Sequence, residues 1–169
     1  VQQNYQLALN WYTKAAKQGD AAAQYNIGVL YENGHGVSQN HKTAIYWYKL
    51  ASDQGYPQAN VNLGLMFKNG LGTATDPERA VKLIKLAADK GLAHGQYNMG
   101  VLYNEGVGVS KDHSIAMQWF ELAAAQGHSP AQFNLGASYE RGEDVAQDYE
   151  IAAKWYLLAA EQGLPQGQD

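Results

Sequence analysis

The stretch DAAAQYNIGVLYENGHGVSQNHKTAIYWYKLASDQG, residues 20–55, decides the fold because the chain repeats it. A glycine closes the stretch, and glycines recur at a spacing of 36 residues along the chain, at positions 19, 55, 91, 127 and 163. The next three segments of the chain align with residues 20–55 without a gap. A fixed period of this length is typical of repeat architectures, in which each unit stacks on its neighbours.

Division of the chain after these glycines gives one repeat domain that spans residues 1–169. The domain contains a half repeat, four full repeats and the start of a further repeat, at residues 1–19, 20–55, 56–91, 92–127, 128–163 and 164–169. Since both ends fall inside a repeat, we expect the sequence to be a piece of a longer protein.

Each repeat predicts two helices, which lie at residues 21–33 and 41–54 in the first full copy. Apolar residues recur in both segments at the three- and four-residue spacing of a buried helical stripe. The first stripe contains Ala23, Ile27, Leu30 and Tyr31, and the second contains Ala44, Trp47, Tyr48, Ala51 and Ser52. The pattern therefore predicts helix–turn–helix units and an all-α fold.

Polar residues and glycines mark the predicted helix ends. Before each second helix stands a residue whose side chain can cap the free backbone amides: Asn40, Asp76, Asp112 and Asp148. Pro77 stands at the first helical position, where proline lacks only an amide that would be unpaired anyway. We expect the glycine that closes each repeat to be a left-handed C-cap residue.

A glycine also stands inside every first helix, where it costs about 1 kcal/mol relative to alanine. These glycines are Gly28, Gly64, Gly100 and Gly136. We expect the second helix to approach closely there, because Trp47, Trp119, Trp155 and their neighbours need a facing surface without side chains. The second full repeat has Leu83 and Ile84 at this place and predicts a somewhat different packing.

The pattern A-x-x-N-[ILM]-G-x-x-[YF]-x-x-G-x-G-V, followed by an acidic residue and A-x-x-W-Y-x-x-A-A-x-Q-G, closely resembles the Sel1-like repeat. This family is related to the tetratricopeptide repeat, and the resemblance covers essentially the whole chain. It implies an α/α solenoid, a right-handed superhelix of helix–turn–helix repeats whose first helices line the concave side. It also implies an adaptor or scaffold role, which in bacteria includes signalling, host interaction and toxin immunity.

The composition is that of a globular protein and argues against several functions. Apolar residues make up 46% of the chain and charged residues 17%, and the net charge of −4 argues against nucleic-acid binding. The chain has no cysteine, hence no disulfide or thiolate metal site, and no apolar run long enough to span a membrane. A cytoplasmic and a bacterial periplasmic location are both compatible with these features.

The Gly-x-Gly in YENGHGVSQN, residues 31–40, could be read as half of a phosphate-binding loop. A phosphate loop of the dinucleotide type follows a strand and opens a helix, whereas this loop follows a predicted helix and recurs in every repeat. The fourth copy has Asp144 in place of the second glycine, and aspartate tolerates left-handed geometry. We interpret these loops as turns that need positive φ angles.

The sequence shows no catalytic or metal-binding set of residues. The five histidines contain no metal-ligand pair and are expected at the solvated surface: His35, His41, His94, His113 and His128. None of the serines stands in a GxSxG elbow, and most carboxylates fall at caps or exposed helix positions. We therefore predict a protein that is not an enzyme and has no cofactor or metal.

Four columns of equivalent residues on the first helices are the candidate binding residues. An asparagine column consists of Asn26, Asn62, Asn98 and Asn134. Two apolar columns consist of Tyr25, Val61, Tyr97 and Phe133, and of Val29, Leu65, Val101 and Ala137. A column of varied charge consists of Glu32, Lys68, Asn104 and Glu140. These sixteen residues, called the predicted binding face below, line the concave side if the solenoid geometry holds.

Two interpretations of these columns stay open from the sequence. An asparagine amide can donate and accept, so it suits either a bond to a neighbouring helix or contact with the backbone of a bound peptide. Aromatic residues suit partner anchoring, but solenoids also bury such residues in the joints between repeats. The positions where carboxylate-binding relatives carry lysine hold Ala22, Gln58, His94 and Pro130, which does not support recognition of a peptide C-terminus.

The sequence thus predicts a scaffold or adaptor that binds a partner protein or peptide. The alternatives are an immunity-type inhibitor of a toxin or enzyme and, with less support, a cell-wall-associated enzyme. The lone second helix in residues 1–19 and the short segment 164–169 leave the terminal faces uncovered, so we also expect end-to-end self-association.

Overall fold

The computed structural model describes residues 2–143 and 145–161, in which every regular element is an α-helix. In chain order these are α1 (Gln2–Ala16), α2 (Ala21–Asn33), α3 (His41–Asp53), α4 (Pro57–Asn69), α5 (Pro77–Asp89), α6 (Ala93–Glu105), α7 (His113–Ala124), α8 (Ser129–Arg141) and α9 (Tyr149–Glu161). Helix α1 is the second helix of the half repeat, and the others form four pairs of a first and a second helix. The predicted all-α repeat fold is confirmed, and α2 and α3 match their predicted segments to within one residue.

The second helices begin where the sequence predicts, because the preceding polar side chain caps each of them. Oδ1 of Asn40 accepts the amide N–H of Thr43 at 3.0 Å, and Oδ1 of Asp112 accepts that of Ile115 at 2.9 Å. Asp76 and Asp148 make the same kind of bond. Pro77 is the first residue of α5, as predicted.

Three of the first helices lack such a cap. The N-cap positions of α4, α6 and α8 hold Tyr56, Leu92 and His128, none of which makes a side-chain cap bond. Two of these residues, Tyr56 and His128, take part instead in the aromatic contacts described below.

The closing glycines end the second helices in a left-handed turn. At Gly55, where φ is 76°, the backbone amide donates to the carbonyl of Ser52 at 2.8 Å, and the next amide, of Tyr56, donates to the carbonyl of Ala51 at 3.1 Å. This pair of bonds is the Schellman motif. Positive φ angles are also found at Gly19, Gly91 and Gly127. Gly163 lies outside the described residues.

The glycines inside the first helices allow the second helix to pack against bare backbone. A Cβ atom placed on Gly28 would lie 2.5 Å from Cδ1 of Tyr48, and one on Gly64 would lie 2.7 Å from Cγ1 of Ile84. Phe120 and Tyr156 make the equivalent approaches in the two later repeats. The predicted close approach is therefore confirmed, with a different side chain in the second full repeat.

The contacting side chain, however, is not the tryptophan. Tyr48, next to Trp47 in the sequence, is completely buried against Gly28, whereas Trp47 is half-buried and packs against a cluster that contains Ala23 and Ile27. Successive residues of a helix point about 100° apart, so only one of the two can face the glycine.

The loop between the two helices of a repeat has the predicted positive φ angles. Gly34 and Gly36 have φ angles of 70° and 74°, and the equivalent described glycines of the other repeats have similar values. A Cβ atom on Gly36 would also lie 2.7 Å from Cβ of Tyr5 in α1, so this glycine permits contact with the preceding repeat. Asp144, the fourth-repeat replacement, lies outside the described residues.

The chain divides into two compact units, Val1–Lys90 and Gly91–Asp169, called unit 1 and unit 2 below. In unit 1, one core cluster is built from Ala16, Ala23 and Ile27, and another from Ala44, Tyr48, Leu63, Met66, Phe67 and Ala80. In unit 2, the core cluster is built from Ala116, Met117, Phe120, Ala123, Ala124, Ala131 and Leu135. Each core joins helices of one repeat to the first helix of the next.

Buried amides connect the helices within each unit. Nε2 of Gln54 donates to Oε1 of Gln24 at 2.8 Å, and Gln126 bonds Gln96 in the same way at 2.7 Å. These acceptors belong to a column of buried amide residues: Gln24, Asn60, Gln96 and Gln132. A buried amide without hydrogen-bond partners is costly. These bonds therefore hold the C-terminal end of the second helix against the first helix of the same repeat.

Candidate partner-binding surface

The predicted binding face lies on the first helices, on α2 and α4 in unit 1 and on α6 and α8 in unit 2. Its residues differ in exposure. Half-buried members are Tyr25, Asn26, Val29, Glu32, Asn62, Leu65, Lys68, Tyr97, Val101, Asn134 and Ala137. Exposed members are Asn104, Phe133 and Glu140, and buried members are Val61 and Asn98. Most of the face is therefore partly accessible to a partner.

Burial removes Val61 and Asn98 from this face. Val61 has no exposed surface and Asn98 retains 8%. Nδ2 of Asn98 donates to the carbonyl of His94, one turn earlier in the same helix, at 2.7 Å. The prediction that Val61 lines a binding face is wrong, because a smaller aliphatic residue replaces the aromatic ring there and is completely covered by its neighbours.

A network of polar aromatic residues occupies the face in unit 1. The hydroxyl of Tyr48 donates a short hydrogen bond to Oε2 of Glu32 and accepts one from Nδ2 of Asn62 at 3.1 Å. The ring of Tyr25 lies 5.7 Å from that of Tyr48 and 5.4 Å from that of Tyr56 between ring centroids. Side chains from α2, α3 and α4 and from the residue before α4 thus form one connected site, called the Glu32 network below.

The charge of Glu32 is felt by the tyrosines around it. Burial raises the pKa of the Tyr25 hydroxyl, and the charges of Tyr56 and Glu32 raise it further. Burial is also the largest cause of the raised pKa of Tyr48, followed by its bond to Glu32. Both hydroxyls are therefore neutral at physiological pH, and Tyr48 acts as a donor to the carboxylate.

In unit 2, the equivalent aromatic column contacts histidines. The ring of Tyr97 lies 4.7 Å from that of His128 and 5.8 Å from that of Phe120. His94 lies 5.9 Å from His128 between ring centroids. Desolvation lowers the pKa of both histidines, and for His128 the charge of His94 lowers it further. This arrangement buries one face of Tyr97 in the joint between two repeats.

The histidines are less exposed than the sequence suggests. His35 and His94 are exposed, but His41, His113 and His128 are half-buried. Aromatic packing accounts for His128, whereas His113 bonds the side chain of Asn104 at 2.7 Å. Among the described residues, no group of three or more histidines and carboxylates has a geometry that could hold a metal ion.

The last described repeat presents an open apolar cleft. Phe133 is 57% exposed, and its ring lies 5.2 Å from that of Tyr156. These rings and four small side chains line a cleft of about 530 Å³: Ser129, Pro130, Phe133, Tyr156, Ala159 and Ala160. The Tyr156 hydroxyl donates to Oε2 of Glu140 at 2.7 Å, and this bond is the largest cause of its raised pKa. The cleft thus has an apolar floor beside a carboxylate.

The structure separates the two interpretations of the asparagine column. Asn62 bonds a neighbouring helix through Tyr48, and Asn98 bonds its own helix. Within residues 2–143 and 145–161, the side chains of Asn26 and Asn134 make no hydrogen bond. The structural interpretation therefore holds for the first pair, while the second pair retains amides that could bind a partner.

The pairing of tyrosine with glutamate was not predicted from the sequence. Both Tyr48 and Tyr156 bond the glutamate 16 residues earlier, Glu32 and Glu140. The signal was present in the repeats: where the tyrosine is Ile84 or Phe120, the glutamate is Lys68 or Asn104. Only the two repeats with a hydroxyl carry a carboxylate at this position.

None of the helices in the described part of the chain has the length and apolar character of a membrane span.

A known family model matches successive segments along most of the chain. A sequence model of the Sel1 repeat matches residues 1–20, 21–56, 57–92, 93–128 and 129–164. A comparison with curated proteins finds no match.

Three solved structures indicate the range of similar proteins. A Sel1 repeat protein from Oxalobacter formigenes is 34% identical with a TM-score of 0.87, and the match covers 93% of this chain and 62% of that one. The protein c5321, a protective antigen present in uropathogenic Escherichia coli strains, is 40% identical with a TM-score of 0.85, over 92% of this chain and 33% of that one. The immunity protein Pa5087 from Pseudomonas aeruginosa is 27% identical with a TM-score of 0.66, over 92% of this chain and 57% of that one. This chain therefore spans less than two thirds of each of these proteins.

Proposed function

The chain belongs to the Sel1 repeat family, and on this premise we propose that it is a scaffold that binds a partner protein or peptide through the predicted binding face. Proteins built from Sel1 repeats generally mediate protein–protein interactions and are typically not enzymes. Within each unit the first helices expose side chains at regular intervals, so an extended or helical partner segment can contact both first helices of a unit at once.

The observation that carries this proposal is the exposed aromatic side chain of Phe133 beside an apolar cleft. Its equivalents Tyr25 and Tyr97 are half-buried by ring contacts with Tyr56 and His128. Phe133 is 57% exposed, and the residue equivalent to Tyr56 and His128, Leu164, lies outside the described residues. Large aromatic residues that lose water on binding dominate the affinity of protein interfaces. Phe133 is therefore the anchor that we expect a partner to cover.

The test is a comparison of partner affinity between Phe133→Ala and a matched control. Leu122→Ala removes another exposed apolar side chain of unit 2, which is 50% exposed on the second helix α7. We expect Phe133→Ala to weaken the captured partner's affinity about tenfold or more, as loss of a central aromatic contact does, and Leu122→Ala to leave it unchanged. Unchanged affinity of Phe133→Ala, with the fold intact by circular dichroism, would exclude this face as the anchor.

A second candidate function is specific inhibition of a toxin or enzyme. It is favoured by the similarity to Pa5087 and to PA5088, both solved as immunity proteins and 27% and 29% identical to this chain. In this case the partner would be an enzyme, and binding would suppress its turnover. Co-expression with the product of an adjacent gene distinguishes the two: rescue of growth supports inhibition, whereas binding without any loss of the partner's activity supports a scaffold.

A further inference from the structure

The Glu32 network holds a carboxylate that no cation within the described residues neutralises. Ion pairs occur elsewhere in unit 1, between Lys49 and Asp53 and between Lys85 and Asp89, but none involves Glu32. The carboxylate is half-buried and is held in place by the Tyr48 hydroxyl, which bonds only Oε2. A partly desolvated anion with a neutral donor on one oxygen favours a cation at the other.

An aromatic ring lies beside this carboxylate. Tyr25 is half-buried, and its ring makes tilted contacts with those of Tyr48 and Tyr56, at 5.7 Å and 5.4 Å between ring centroids. Tyr48 connects the two, because its hydroxyl bonds Oε2 of Glu32 and its ring contacts that of Tyr25. A cation that reaches the carboxylate therefore also meets an aromatic surface, which attracts it through the ring quadrupole.

The geometry points to a site for an arginine side chain of the partner, in which Glu32 binds the guanidinium group and the ring of Tyr25 stacks on it. This inference rests on the proposed function, because it assigns the chemistry of the partner. Arginine fits better than lysine since its planar guanidinium can bond a carboxylate and stack on a ring at the same time. The chain's net charge of −4 also favours a basic partner.

The last repeat provides a contrasting site. Glu140 is held by Tyr156 beside Phe133, in the same arrangement as Glu32 beside Tyr25. The two carboxylates differ in exposure, because Glu140 is exposed to solvent whereas Glu32 is half-buried, and the neighbouring Arg141 pairs with Glu143 at 3.3 Å. Since a solvated carboxylate gains little from pairing with a cation, this site should bind an added arginine more weakly than the Glu32 network does.

The probe is the short peptide acetyl-Gly-Arg-Gly-amide, titrated into the whole protein and followed by NMR chemical shifts. Acetyl-Gly-Lys-Gly-amide tests the choice of cation, and the citrulline peptide keeps the shape of arginine without its charge. We expect saturable shifts at Tyr25, Glu32 and Asn62 with the arginine peptide, and an affinity several-fold weaker with lysine. The citrulline peptide should give no saturable shift.

Glu32→Gln is the decisive variant. Glutamine keeps an oxygen that can accept the Tyr48 hydroxyl, so we expect the fold to survive while the charge is lost. The arginine peptide should then bind about tenfold more weakly, whereas Glu140→Gln, the matched change in unit 2, should leave the shifts in unit 1 unchanged. Equal binding by Glu32→Gln, or equal affinity for the lysine peptide, would overturn the assignment.

Failure of the arginine site can be distinguished from failure of the proposed function. If Glu32→Gln and the wild type bind the captured partner equally while Phe133→Ala does not, the scaffold function stands and the arginine site is refuted. If no variant changes partner affinity but the peptide shifts vanish in Glu32→Gln, the site binds a guanidinium group, but its assignment to an arginine of this partner is refuted and the partner uses another face.

Discussion

Gly28 lies in the middle of α2, where alanine would favour the helix by about 1 kcal/mol. The chain nevertheless carries glycine there and at the three equivalent positions. The reason is spatial, because Cδ1 and Cε1 of Tyr48 occupy the volume that a Cβ atom would need. The glycine and the buried aromatic residue therefore form a matched pair, in which the packing of the aromatic ring offsets the low helix propensity of the glycine.

Gly28→Ala should destabilise the protein despite its better helix propensity. The new methyl group would lie 2.5 Å from the Tyr48 ring, and the ring is completely buried and cannot swing aside. We expect the free energy of unfolding, measured by urea denaturation, to fall by about 1–3 kcal/mol, which is the usual cost of overpacking a core.

A double-mutant cycle separates the steric effect from helix propensity. In a Tyr48→Ala background the ring is absent, so Gly28→Ala should become neutral or stabilise the protein by up to about 1 kcal/mol. Equal destabilisation in both backgrounds would show that the glycine is required for another reason than contact with Tyr48.

The sequence predicted this close approach but not which side chain makes it. The fixed spacing of the glycines indicated that a bulky residue faces them, and tryptophan has the largest volume in that stretch. Volume does not decide orientation, since the register of the second helix turns Tyr48 inwards and leaves Trp47 half-buried. The choice depends on the rotation of one helix about its axis, which the pattern fixes only to within one residue.

At the scale of the helices, the sequence again predicted part of the structure and left another part open. The apolar stripes, the caps and the closing glycines predicted where each helix begins and ends. They left open whether the aromatic column belongs to a joint or to a binding face. In the structure Tyr25 and Tyr97 contact a residue of the next repeat, whereas the residue that would meet Phe133 in this way, Leu164, lies outside the described residues. The contacts at each joint depend on the side chains that a neighbouring repeat brings, which no pattern within a single repeat contains.

The joint between α6 and α8 should make stability depend on pH. The pKa values of His94 and His128 are lowered from 6.5 by desolvation, and Nδ1 of His128 is buried without a hydrogen-bond partner. Below pH 6.5 the unfolded chain therefore binds more protons at these sites than the folded chain does. Their contribution to stability should be complete above pH 6.5, fall as the pH drops through the folded-state values, and level off below them.

The matched control copies the residues of the equivalent joint in unit 1, where Ala22 and Tyr56 occupy the positions of His94 and His128. We expect the double variant His94→Ala/His128→Tyr to lose less unfolding free energy than the wild type between pH 7.5 and 5, in parallel urea titrations. Other groups titrate equally in both proteins, so the difference isolates the histidines. Parallel stability curves for the two proteins would contradict the role assigned to this joint.

Across the whole molecule, each unit has its own buried core, and the large apolar residues left exposed are unevenly distributed. Some stand singly on the middle second helices, such as Tyr46 and Leu122. Others gather on the first and last helices, with Leu7 and Trp11 on α1 and Leu157 and Leu158 on α9. Single exposed apolar residues are common on soluble proteins, whereas grouped ones mark surfaces that associate.

We therefore expect this chain to self-associate through the exposed apolar residues of α1 and α9. Leu7 is 54% exposed and Trp11 is 66% exposed, so the double change Leu7→Glu/Trp11→Glu places two charges on the α1 surface without disturbing a buried group. In sedimentation equilibrium, the apparent mass of the wild type should rise with concentration, and that of the double variant should stay at the monomer value. Tyr46→Glu, a charge added at a residue that is 58% exposed on α3, is the control and should associate like the wild type. A wild-type protein that stays monomeric at high concentration would contradict self-association through these surfaces.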